Sequence, residues 1–428
     1  MPTLYGYIYE ALWLAATPWA HWHLRKRARA GKELAGRLGE RFGVTGVARP
    51  AGKLVWLHGA SVGESVALLP VIAQLRALPE PPTVLLTTGS VTSAALMESR
   101  LPAGCLHQFV PLDRARWVRR FLNHWQPDGV IWVESEIWPG LLTAVHARGI
   151  PAAFLNVRIS AKSAASWARS LDWTRTFLQP FDPVTAVTAA DADRWQTLSG
   201  RAVDLIANLK FIAAPLACDA EELAVLHGAL GNRPVWLMAS MHPGEDLIAA
   251  AVHRALRAEF PDLLTIIVPR HPQRGTEFAA TLRGEKLSVS LRSADETITP
   301  QTDIYVADRM GEMGLFYRLA KIVCIGGSFI PHGGQNPIEA AKLGAAILYG
   351  PQMFNFSAIA AAFEDAEAVV PMVDAASLAE GVRCLLRDPH STAVLGQRAQ
   401  EVCAAEENRV AQIWDLLAPW RVKVGLKG

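Results

Sequence analysis

The sequence predicts an α/β protein that contains two doubly wound, Rossmann-like domains, each built on a parallel sheet. Three observations support this prediction. The chain has 428 residues, which is more than one hydrophobic core usually supports, and 51% of them are hydrophobic. From about residue 53 onward, short apolar runs alternate with longer stretches of helical character. The runs are continuously apolar rather than alternating, which is typical of strands buried on both faces of a parallel sheet.

Ten apolar runs are the candidate strands, five in each half of the chain. Because helical stretches separate them, we expect right-handed β–α–β units. Ligands of such sheets bind where strands end and helices begin, and we expect the two domains to face each other across a cleft. The runs are, in order, KLVWLHGA, TVLLTTGS, HQFVPLD, GVIWVESE, PAAFLNVR, PVWLMAS, LLTIIVPR, DIYVADR, KIVCIGGS and AAILYGP.

The alternation pauses between about residues 205 and 233, and we place the domain boundary there. The predicted organisation is an N-terminal anchor helix with its basic flank at 1–32, a first domain at 33–210 and a second domain at 211–428. Whether the last helix packs back on the first domain stays open.

The overall charge and the cysteines exclude several classes of protein. A formal net charge of +2 argues against a protein whose main task is to neutralise a nucleic-acid backbone, so no nucleic-acid partner is predicted. The five cysteines are odd in number and far apart. We therefore expect neither a disulfide framework nor a zinc site, and a reducing compartment fits.

Residues 4–24 are apolar and rich in Tyr and Trp, and a basic stretch from Arg25 to Lys32 follows them. A cleaved signal peptide would carry its positive charges before the apolar segment, not after it. A core helix is a second alternative. We favour a membrane anchor or an interfacial helix whose basic end meets anionic lipid on the cytoplasmic side. Glu10 and Pro18 argue against a full membrane span.

The first candidate site follows the first predicted strand, at residues 57–65 (LHGASVGES). Its small residues allow a tight turn and a close approach to a ligand, and Glu64 opens the next helix. A carboxylate in the first turn of a helix commonly complements the helix dipole. At the edge of such a sheet it can also be a general base, especially if burial raises its pKa. Both interpretations stay open on spacing alone.

The second candidate site is VESEIWPG, residues 133–140. We expect Glu134 and Glu136 to share one side of an extended segment that precedes a helix start. A structural cap accounts for one of these acids more easily than for both. The functional alternative is electrostatic support of a cationic transition state or binding of an acceptor hydroxyl.

The third candidate site is VPRHPQR, residues 268–274, again at a predicted strand end. It places Arg270, His271 and Arg274 together, and its prolines restrict its shape. Arg suits bidentate recognition of phosphate or carboxylate. We favour an anion site over a solvated surface loop.

The fourth candidate site spans residues 308–351, where paired glycines precede a predicted helix start near Asn336 and Pro337. Pro is favoured at the first position of a helix, and the free amides there can bind an anion. Glu339 could accept the hydroxyls of a ribose, and 311–313 (GEM) would lie beside a base. The dinucleotide fingerprint is missing from the sequence, so NAD binding is disfavoured.

Taken together, seven motifs of the sequence resemble, in order, those of the 3-deoxy-D-manno-octulosonic acid (Kdo) transferases of lipopolysaccharide synthesis. The motifs are HGASVGE, VESEIWP, NVRIS, ASMHPGE, PRHPQR, GEM and GGSFIPHGGQNPIEAA. The resemblance runs from the N-terminal segment and RLGERFG to about residue 360. It implies a GT-B glycosyltransferase on the cytoplasmic side of the inner membrane. The implied reaction moves Kdo from CMP-Kdo to a lipid A precursor.

The resemblance also implies roles for individual residues. Glu64 matches the general base of the family. Glu134 and Lys210 match the residues that are thought to support the family's transition state. The family's CMP-binding segments match Pro269, Arg270, Gly311, Glu312, Met313, Asn336, Pro337, Ile338 and Glu339. Three places depart from the family pattern. Gln335 stands where a histidine is expected, and Val157 replaces a smaller residue. In the segment expected as GSLK, Ala207 and Asn208 differ, whereas Lys210 is kept.

The chemistry of glycosyl transfer agrees with these assignments. The reaction needs a base for the incoming hydroxyl, support for an oxocarbenium-like centre and neutralisation of the departing phosphate. The sequence offers no paired-acid motif and CMP carries one phosphate, so we expect neither a metal nor another cofactor. The alternatives are another GT-B nucleotide-sugar transferase or epimerase, and a nucleotide-sugar binding protein without catalytic activity.

Overall fold

The computed structural model describes residues 4–206 and 208–427, which form two compact units. The first unit consists of the residues up to Ala213 together with those from Glu407 onward, and the second is Ala214–Glu406. The residues from Glu407 onward, which form the last part of the predicted second domain at 211–428, thus belong to the first unit. Trp420 there is fully buried, and its Nε1 donates a hydrogen bond to the Pro151 carbonyl at 3.1 Å.

The first unit contains a parallel sheet of seven strands in the order β3-β2-β1-β4-β5-β6-β7. Its five predicted strands are all present, and two further strands extend the sheet. The strands are β1 (Leu54–His58), β2 (Thr83–Thr88), β3 (Cys105–Phe109), β4 (Gly129–Val133), β5 (Ala152–Val157), β6 (Phe181–Ala186) and β7 (Asp204–Leu205).

Helices cover the two faces of this sheet. They are α1 (Leu4–Arg29), α2 (Val62–Arg76), α3 (Val91–Arg100), α4 (Ala115–Trp125), α5 (Pro139–Ala147), α6 (Ala161–Ala168), α7 (Leu171–Leu178), α8 (Ala189–Ser199) and α17 (Ala418–Val424), with 3-10 helices at Ala35–Phe42 and Leu209–Ile212.

The second unit also contains a parallel sheet of seven strands, in the order β10-β11-β9-β8-β12-β13-β14. The strands are β8 (Val235–Met241), β9 (Leu264–Pro269), β10 (Val289–Leu291), β11 (Ile304–Val306), β12 (Ile322–Ile325), β13 (Ala346–Tyr349) and β14 (Val369–Pro371). The helices are α9 (Ala220–Leu230), α10 (Glu245–Arg257), α11 (Gly275–Gly284), α12 (Met313–Leu319), α13 (Ile338–Lys342), α14 (Ser357–Asp365) and α15 (Ala375–Arg387). There are 3-10 helices at Pro272–Arg274 and Arg292–Ala294. Helix α16 (Pro389–Leu416) crosses the boundary between the units at Glu406.

The continuous apolar runs have the physical origin that the sequence predicts. On β1, Trp56 packs into the core on one face of the sheet, whereas Val55 and Leu57 pack into the core on the other. All three side chains are fully buried. A strand covered on both faces has no solvent side on which polar residues would be favoured, and this produces its unbroken hydrophobicity.

Both sheets contain, near their middle, a point at which the order of the strands reverses direction. The reversal lies between β1 and β4 in the first unit and between β8 and β12 in the second. At such a point the loops after two neighbouring strands run toward opposite faces of the sheet. A crevice therefore opens between these loops, beyond the carboxyl ends of the strands. Each unit therefore has one position at which its fold favours ligand binding.

The N-terminal helix α1 packs on the body of the first unit through specific polar contacts. The Tyr9 hydroxyl donates to Asp113 Oδ2 at 2.7 Å, and Glu10 Oε1 accepts a hydrogen bond from the Ala115 amide at 2.8 Å. Elsewhere the helix exposes large apolar side chains, namely those of Leu4, Tyr5, Tyr7, Ile8, Leu12, Leu14, Trp19 and Trp22.

Across 4–206 and 208–427, no helix is long and apolar enough to cross a membrane. The membrane-spanning interpretation of the N-terminal segment is therefore not supported. Glu10, Pro18 and the basic end of α1 interrupt its apolar character.

Candidate active site

Two of the predicted clusters meet at the strand-order reversal of the first unit. Ser61 and Glu64 follow β1, and Glu134 follows β4, its neighbour in the sheet. The helix α2 begins at Val62 and its first turn contains Glu64, as the sequence predicts. The fold therefore places both carboxylates where doubly wound sheets bind ligands.

The Glu64 side chain folds back over the turn that precedes its own helix. Its Oε2 accepts a hydrogen bond from the Ala60 amide at 2.7 Å, and its Oε1 accepts one from the Ser61 hydroxyl at 2.9 Å. In return, the Ser61 Oγ accepts a hydrogen bond from the Glu64 amide at 3.3 Å. This reciprocal capping fixes the carboxylate, and each of its oxygens keeps a lone pair for a further partner.

The surroundings of Glu64 raise the pKa of its carboxyl group. Burial has the largest effect, and repulsion from the Glu134 and Glu136 carboxylates adds to it. The hydrogen bonds from Ser61 and Ala60 act in the opposite direction because they stabilise the charged form. A carboxylate with a raised pKa accepts a proton more readily, which is the property of a general base.

Glu134 has an unusual backbone conformation for its residue type, with φ at +62°. This left-handed conformation costs about 1–3 kcal/mol in a non-glycine residue and persists only where surrounding contacts impose it. Here the side chain is buried, and its Oε1 accepts a hydrogen bond from Asn156 Nδ2 at 3.0 Å. The Lys210 ammonium lies 2.7 Å from the same oxygen.

Lys210 lies on the 3-10 helix Leu209–Ile212 and is close to the start of α2. A Cβ atom added at Gly63 would lie 3.7 Å from Lys210 Cε, so the lysine stem passes alongside the turn that holds Glu64. The structure thus brings Glu64, Glu134 and Lys210 into one cluster within the first unit. Ala207, one of the positions that depart from the family pattern, lies outside the described residues.

Two asparagines connect the Glu134 loop to the Lys210 loop. Asn156, with φ at +56°, donates through Nδ2 to both Glu134 Oε1 and Asn208 Oδ1, the latter at 3.4 Å. Asn208 Oδ1 also accepts a hydrogen bond from the Lys210 amide at 3.0 Å. Sequence reasoning assigned neither asparagine a role. The available signal was a polar Asn156 at the end of the apolar run PAAFLNVR.

The expectation that Glu134 and Glu136 share one side of an extended segment is wrong. Strand β4 ends at Val133, and the positive φ of Glu134 turns the chain there. Glu136 Oε2 instead accepts a hydrogen bond from Trp138 Nε1 at 2.6 Å. Glu136 therefore holds the turn in place, and Glu134 is the acid that joins the cluster.

His58 is fully buried and belongs to the core of the first unit. Its Nδ1 is 2.9 Å from Thr87 Oγ1, and its ring packs on Trp132 with the centroids 4.3 Å apart. Burial, together with the positive charge of Arg41, lowers the pKa of His58 to about 3, against the effect of a hydrogen bond to the Thr87 carbonyl. At neutral pH His58 is an uncharged structural residue.

The strand-order reversal of the second unit is organised by Glu245, whose side chain is fully buried. Its Oε2 accepts hydrogen bonds from the amides of His242 at 2.9 Å and Gly327 at 2.7 Å. Its Oε1 accepts those of Ser328 at 3.1 Å and Phe329 at 3.2 Å. One carboxylate thus ties the loop after β8 to the glycine loop after β12. Sequence reasoning quoted Glu245 within ASMHPGE but gave it no role.

The predicted anion cluster lies at the end of β9. Pro269 ends the strand and is buried, whereas Arg270 and His271 are exposed. The Arg270 amide donates to the Met241 carbonyl at 2.9 Å, which fixes the cluster beside the end of β8. Arg274 forms an ion pair with Glu277. Arginine and histidine side chains next to a strand end are suited to bind an anion.

The predicted base-binding segment begins with Gly311 in a left-handed conformation, φ +89°, and continues into α12 at Met313. Glu312 holds it through Arg292, whose Nε and Nη2 donate to the two carboxylate oxygens at 2.5 and 2.9 Å. Sequence reasoning did not single out Arg292, which lies in a different segment of the chain.

The fourth predicted site contains the helix start that the sequence predicts near Asn336 and Pro337. Helix α13 begins at Ile338 and has five residues, and Pro337 precedes it as its N-cap. Asn336 Oδ1 accepts a hydrogen bond from the Ile338 amide at 3.2 Å, so this amide already has a partner. Pro337 and Ile338 are buried, whereas Asn336 and Glu339 are half-buried and accessible to a ligand.

Comparison with known proteins identifies the family. A sequence model described as 3-deoxy-D-manno-octulosonic-acid transferase matches residues 36–213. The chain is 35% identical over 422 residues to a probable mitochondrial 3-deoxy-D-manno-octulosonic acid transferase of Arabidopsis thaliana, covering 96% of this chain and 94% of the relative. It is 34% identical over 413 residues to the 3-deoxy-D-manno-octulosonic acid transferase of Bordetella pertussis, covering 93% and 95%.

A solved structure supports the fold. The crystal structure of a glycosyltransferase from Rickettsia africae ESF-5 matches with a TM-score of 0.58 at 14% identity, covering 88% of this chain and 99% of that one. The two parallel-sheet α/β units therefore match a GT-B-like glycosyltransferase in fold. The sequence relatives show that the chain belongs to the 3-deoxy-D-manno-octulosonic acid transferase family and is a glycosyltransferase.

Proposed function

We propose that this glycosyltransferase transfers Kdo from CMP-Kdo to a lipid A precursor. The observation that carries the proposal is the position of Glu64. Its carboxylate is half-buried, has a raised pKa and lies at the strand-order reversal of the first unit. The family of the chain supports the choice of Kdo as the transferred sugar.

In the proposed reaction, Glu64 accepts the proton of a hydroxyl group on the acceptor sugar. The hydroxyl oxygen then forms a bond to the anomeric carbon of Kdo. The bond between that carbon and the phosphate oxygen breaks, and CMP leaves with the electron pair. The proton remains on Glu64 until solvent removes it, so the step requires no further reactant.

Glu134 and Lys210 support the transition state in this proposal. Positive charge develops at the anomeric carbon as the bond to the phosphate breaks. The Glu134 carboxylate is held by Asn156 and Lys210, and a fixed group of this kind needs no reorganisation when charge develops. Its repulsion toward Glu64 also helps to keep the pKa of the base raised.

The second unit holds the donor in this proposal. Arg270 binds the phosphate beside Pro269, and the segment Gly311 to Met313 lies along the cytosine. The accessible side chains of Asn336 and Glu339, positioned around Pro337 and Ile338, bind the ribose and phosphate. The network around Glu245 supports this assignment because it fixes the loops at the strand-order reversal before a ligand binds.

We also propose that α1 attaches the protein to the cytoplasmic face of the inner membrane without crossing it. Exposed Trp19 and Trp22 and the basic residues from Arg25 onward support this proposal. Aromatic side chains favour the headgroup region, and basic residues are attracted to anionic lipid. A lipid acceptor would be met at that surface.

Mass spectrometry tests the proposed reaction. Purified protein is incubated with CMP-Kdo and a tetra-acylated lipid A precursor, and the molecular mass of the lipid is then measured. A gain of one or more Kdo units is the expected result, and their number gives the multiplicity of the transfer. If CMP-Kdo binds but the lipid gains no mass, the chain is a nucleotide-sugar binding protein under these conditions. If only a different nucleotide sugar is consumed, the donor assignment is wrong.

A further inference from the structure

Three histidines of the second unit lie together in a place to which the proposed reaction gives no role. The His242 and His332 rings have their centroids 3.8 Å apart at an angle of 34°. The centroid of His271 is 6.2 Å from that of His242. His242 is buried, whereas His271 and His332 are exposed and can contact a ligand.

The fold holds these histidines in place from three directions. Glu245 fixes His242 through its backbone amide. The loop that contains His332 is held by Asn355, whose Nδ2 donates to the His332 carbonyl at 2.8 Å. His271 follows Arg270, which is bonded to the end of β8. The cluster is thus assembled from the loops after β8, β9 and β12, at the position where this sheet favours a ligand.

Gln335 determines which nitrogen of His242 carries the proton. Its Nε2 lies 3.0 Å from His242 Nε2. Because an amide nitrogen only donates, His242 Nε2 acts as the acceptor and the neutral ring carries its proton on Nδ1. The buried histidine therefore supports the cluster as an uncharged and oriented ring.

The charged groups that act most strongly on the His242 ring are cationic. Burial, together with the positive charge of His332, His271, Arg270 and Arg274, lowers the pKa of His242 to about 4. Among neighbouring acids, Glu245 has its oxygens occupied by four backbone amides and Glu277 is paired with Arg274. An anion bound here would relieve the repulsion between these groups.

We propose that His271 and His332, supported by His242, bind the carboxylate of the donor sugar beside a phosphate site at Arg270. The inference rests on the proposed function and adds recognition of a second anion. In CMP-Kdo the anomeric carbon carries both the carboxyl group and the phosphate oxygen, so the two anions must be bound side by side. Arg270 and His271 are adjacent in the chain, and the His242 ring lies near both the His271 ring and the His332 ring. A nucleotide sugar without a carboxylate would need only the phosphate site.

The test compares the affinities of two ligands by isothermal titration calorimetry, CMP-Kdo and CMP. The variants are His332→Ala and His271→Ala, and His390→Ala is the matched control because His390 is an exposed histidine of the same unit on α16. Loss of one hydrogen bond to a charged group is expected to weaken CMP-Kdo binding about tenfold or more. CMP binding should stay within about twofold of the wild type, and the control should change neither affinity.

Two results would overturn the inference. Equal weakening of CMP and CMP-Kdo would place the histidines at the phosphate or the nucleoside. Unchanged affinity for CMP-Kdo in both variants would exclude them from the site. The failure of the proposed function looks different, because the wild-type protein would then show no preference for CMP-Kdo over CMP and would transfer no Kdo. Thermal unfolding of each variant verifies that it is folded.

Discussion

Lys210 Nζ lies 2.7 Å from Glu134 Oε1, and the two side chains are only 18% and 11% exposed. The pair joins the end of strand β4 to the 3-10 helix that follows β7. Asn156 donates to the same carboxylate oxygen, so the charge of Glu134 is compensated by both an ion pair and a hydrogen bond. A pair of this kind is sensitive to the loss of either partner, because the remaining charge stays buried.

We therefore predict that Lys210→Met and Glu134→Gln each destabilise the first unit by about 3 kcal/mol, with the double variant losing less than the sum. Both single variants should also slow transfer, since in the proposed mechanism the fixed charges support the transition state. Urea unfolding followed by tryptophan fluorescence, together with kcat, measures the two effects. Strictly additive losses in the double variant would mean that the two charges act independently.

In the proposed reaction Glu64 is the general base, so its pKa should set the pH dependence of transfer. Because the base must be ionised, the rate should rise with pH through the raised pKa of Glu64. In Ser61→Ala one of the hydrogen bonds that lower this pKa is lost, so the pKa rises further and the acid limb of the pH–rate profile moves to higher pH. The variant also loses an N-cap, at a cost of about 1 kcal/mol. If the acid limb of the variant stayed at the wild-type pH, the ionisation seen in the profile would belong to a group other than Glu64.

Glu245 is predicted to be a positioning residue for the donor. In Glu245→Gln one side of the carboxylate becomes an amide NH₂, which cannot accept hydrogen bonds from the backbone amides that it faces. We expect a loss of about 1–3 kcal/mol in stability and a higher KM for CMP-Kdo, whereas KM for the lipid acceptor should stay unchanged. Steady-state kinetics with each substrate varied in turn provides the measurement. Equal increases in both KM values would point to general unfolding.

Membrane attachment through α1 is tested with lipid vesicles. The double variant Trp19→Ala/Trp22→Ala removes two exposed apolar side chains and should bind vesicles containing phosphatidylglycerol about tenfold or more weakly. Phe354→Ala is a suitable control because Phe354 is 53% exposed in the second unit. Flotation through a sucrose gradient, at low and at high salt, separates the apolar from the electrostatic contribution. Undiminished binding of the double variant would assign the attachment to another surface.

Sequence patterns predicted those features that depend on local order. The apolar runs around Trp56 and Trp132 became buried parallel strands, and Glu64 lies in the first turn of α2. Periodicity and helix capping are properties of a few neighbouring residues, so the sequence carries them directly.

Features that depend on tertiary neighbours were not visible in the same way. Glu134 and Glu136 look equivalent in the sequence, and only the left-handed turn at Glu134 separates them. The contacts of Glu245 with the amides of Gly327 to Phe329 join segments that are distant in the chain. Such contacts follow from the strand order, which no single segment specifies.

In the proposed reaction Glu64 removes the proton from the acceptor hydroxyl. Glu64→Gln tests it most directly, because the amide oxygen can still accept the hydrogen bond from the Ala60 amide and preserve the turn. Single-turnover transfer of Kdo to the lipid A precursor is measured beside CMP-Kdo affinity. We predict that the rate falls by about 10²- to 10⁴-fold while donor affinity stays within about twofold. A rate equal to that of the wild type, with donor binding intact, would contradict the account.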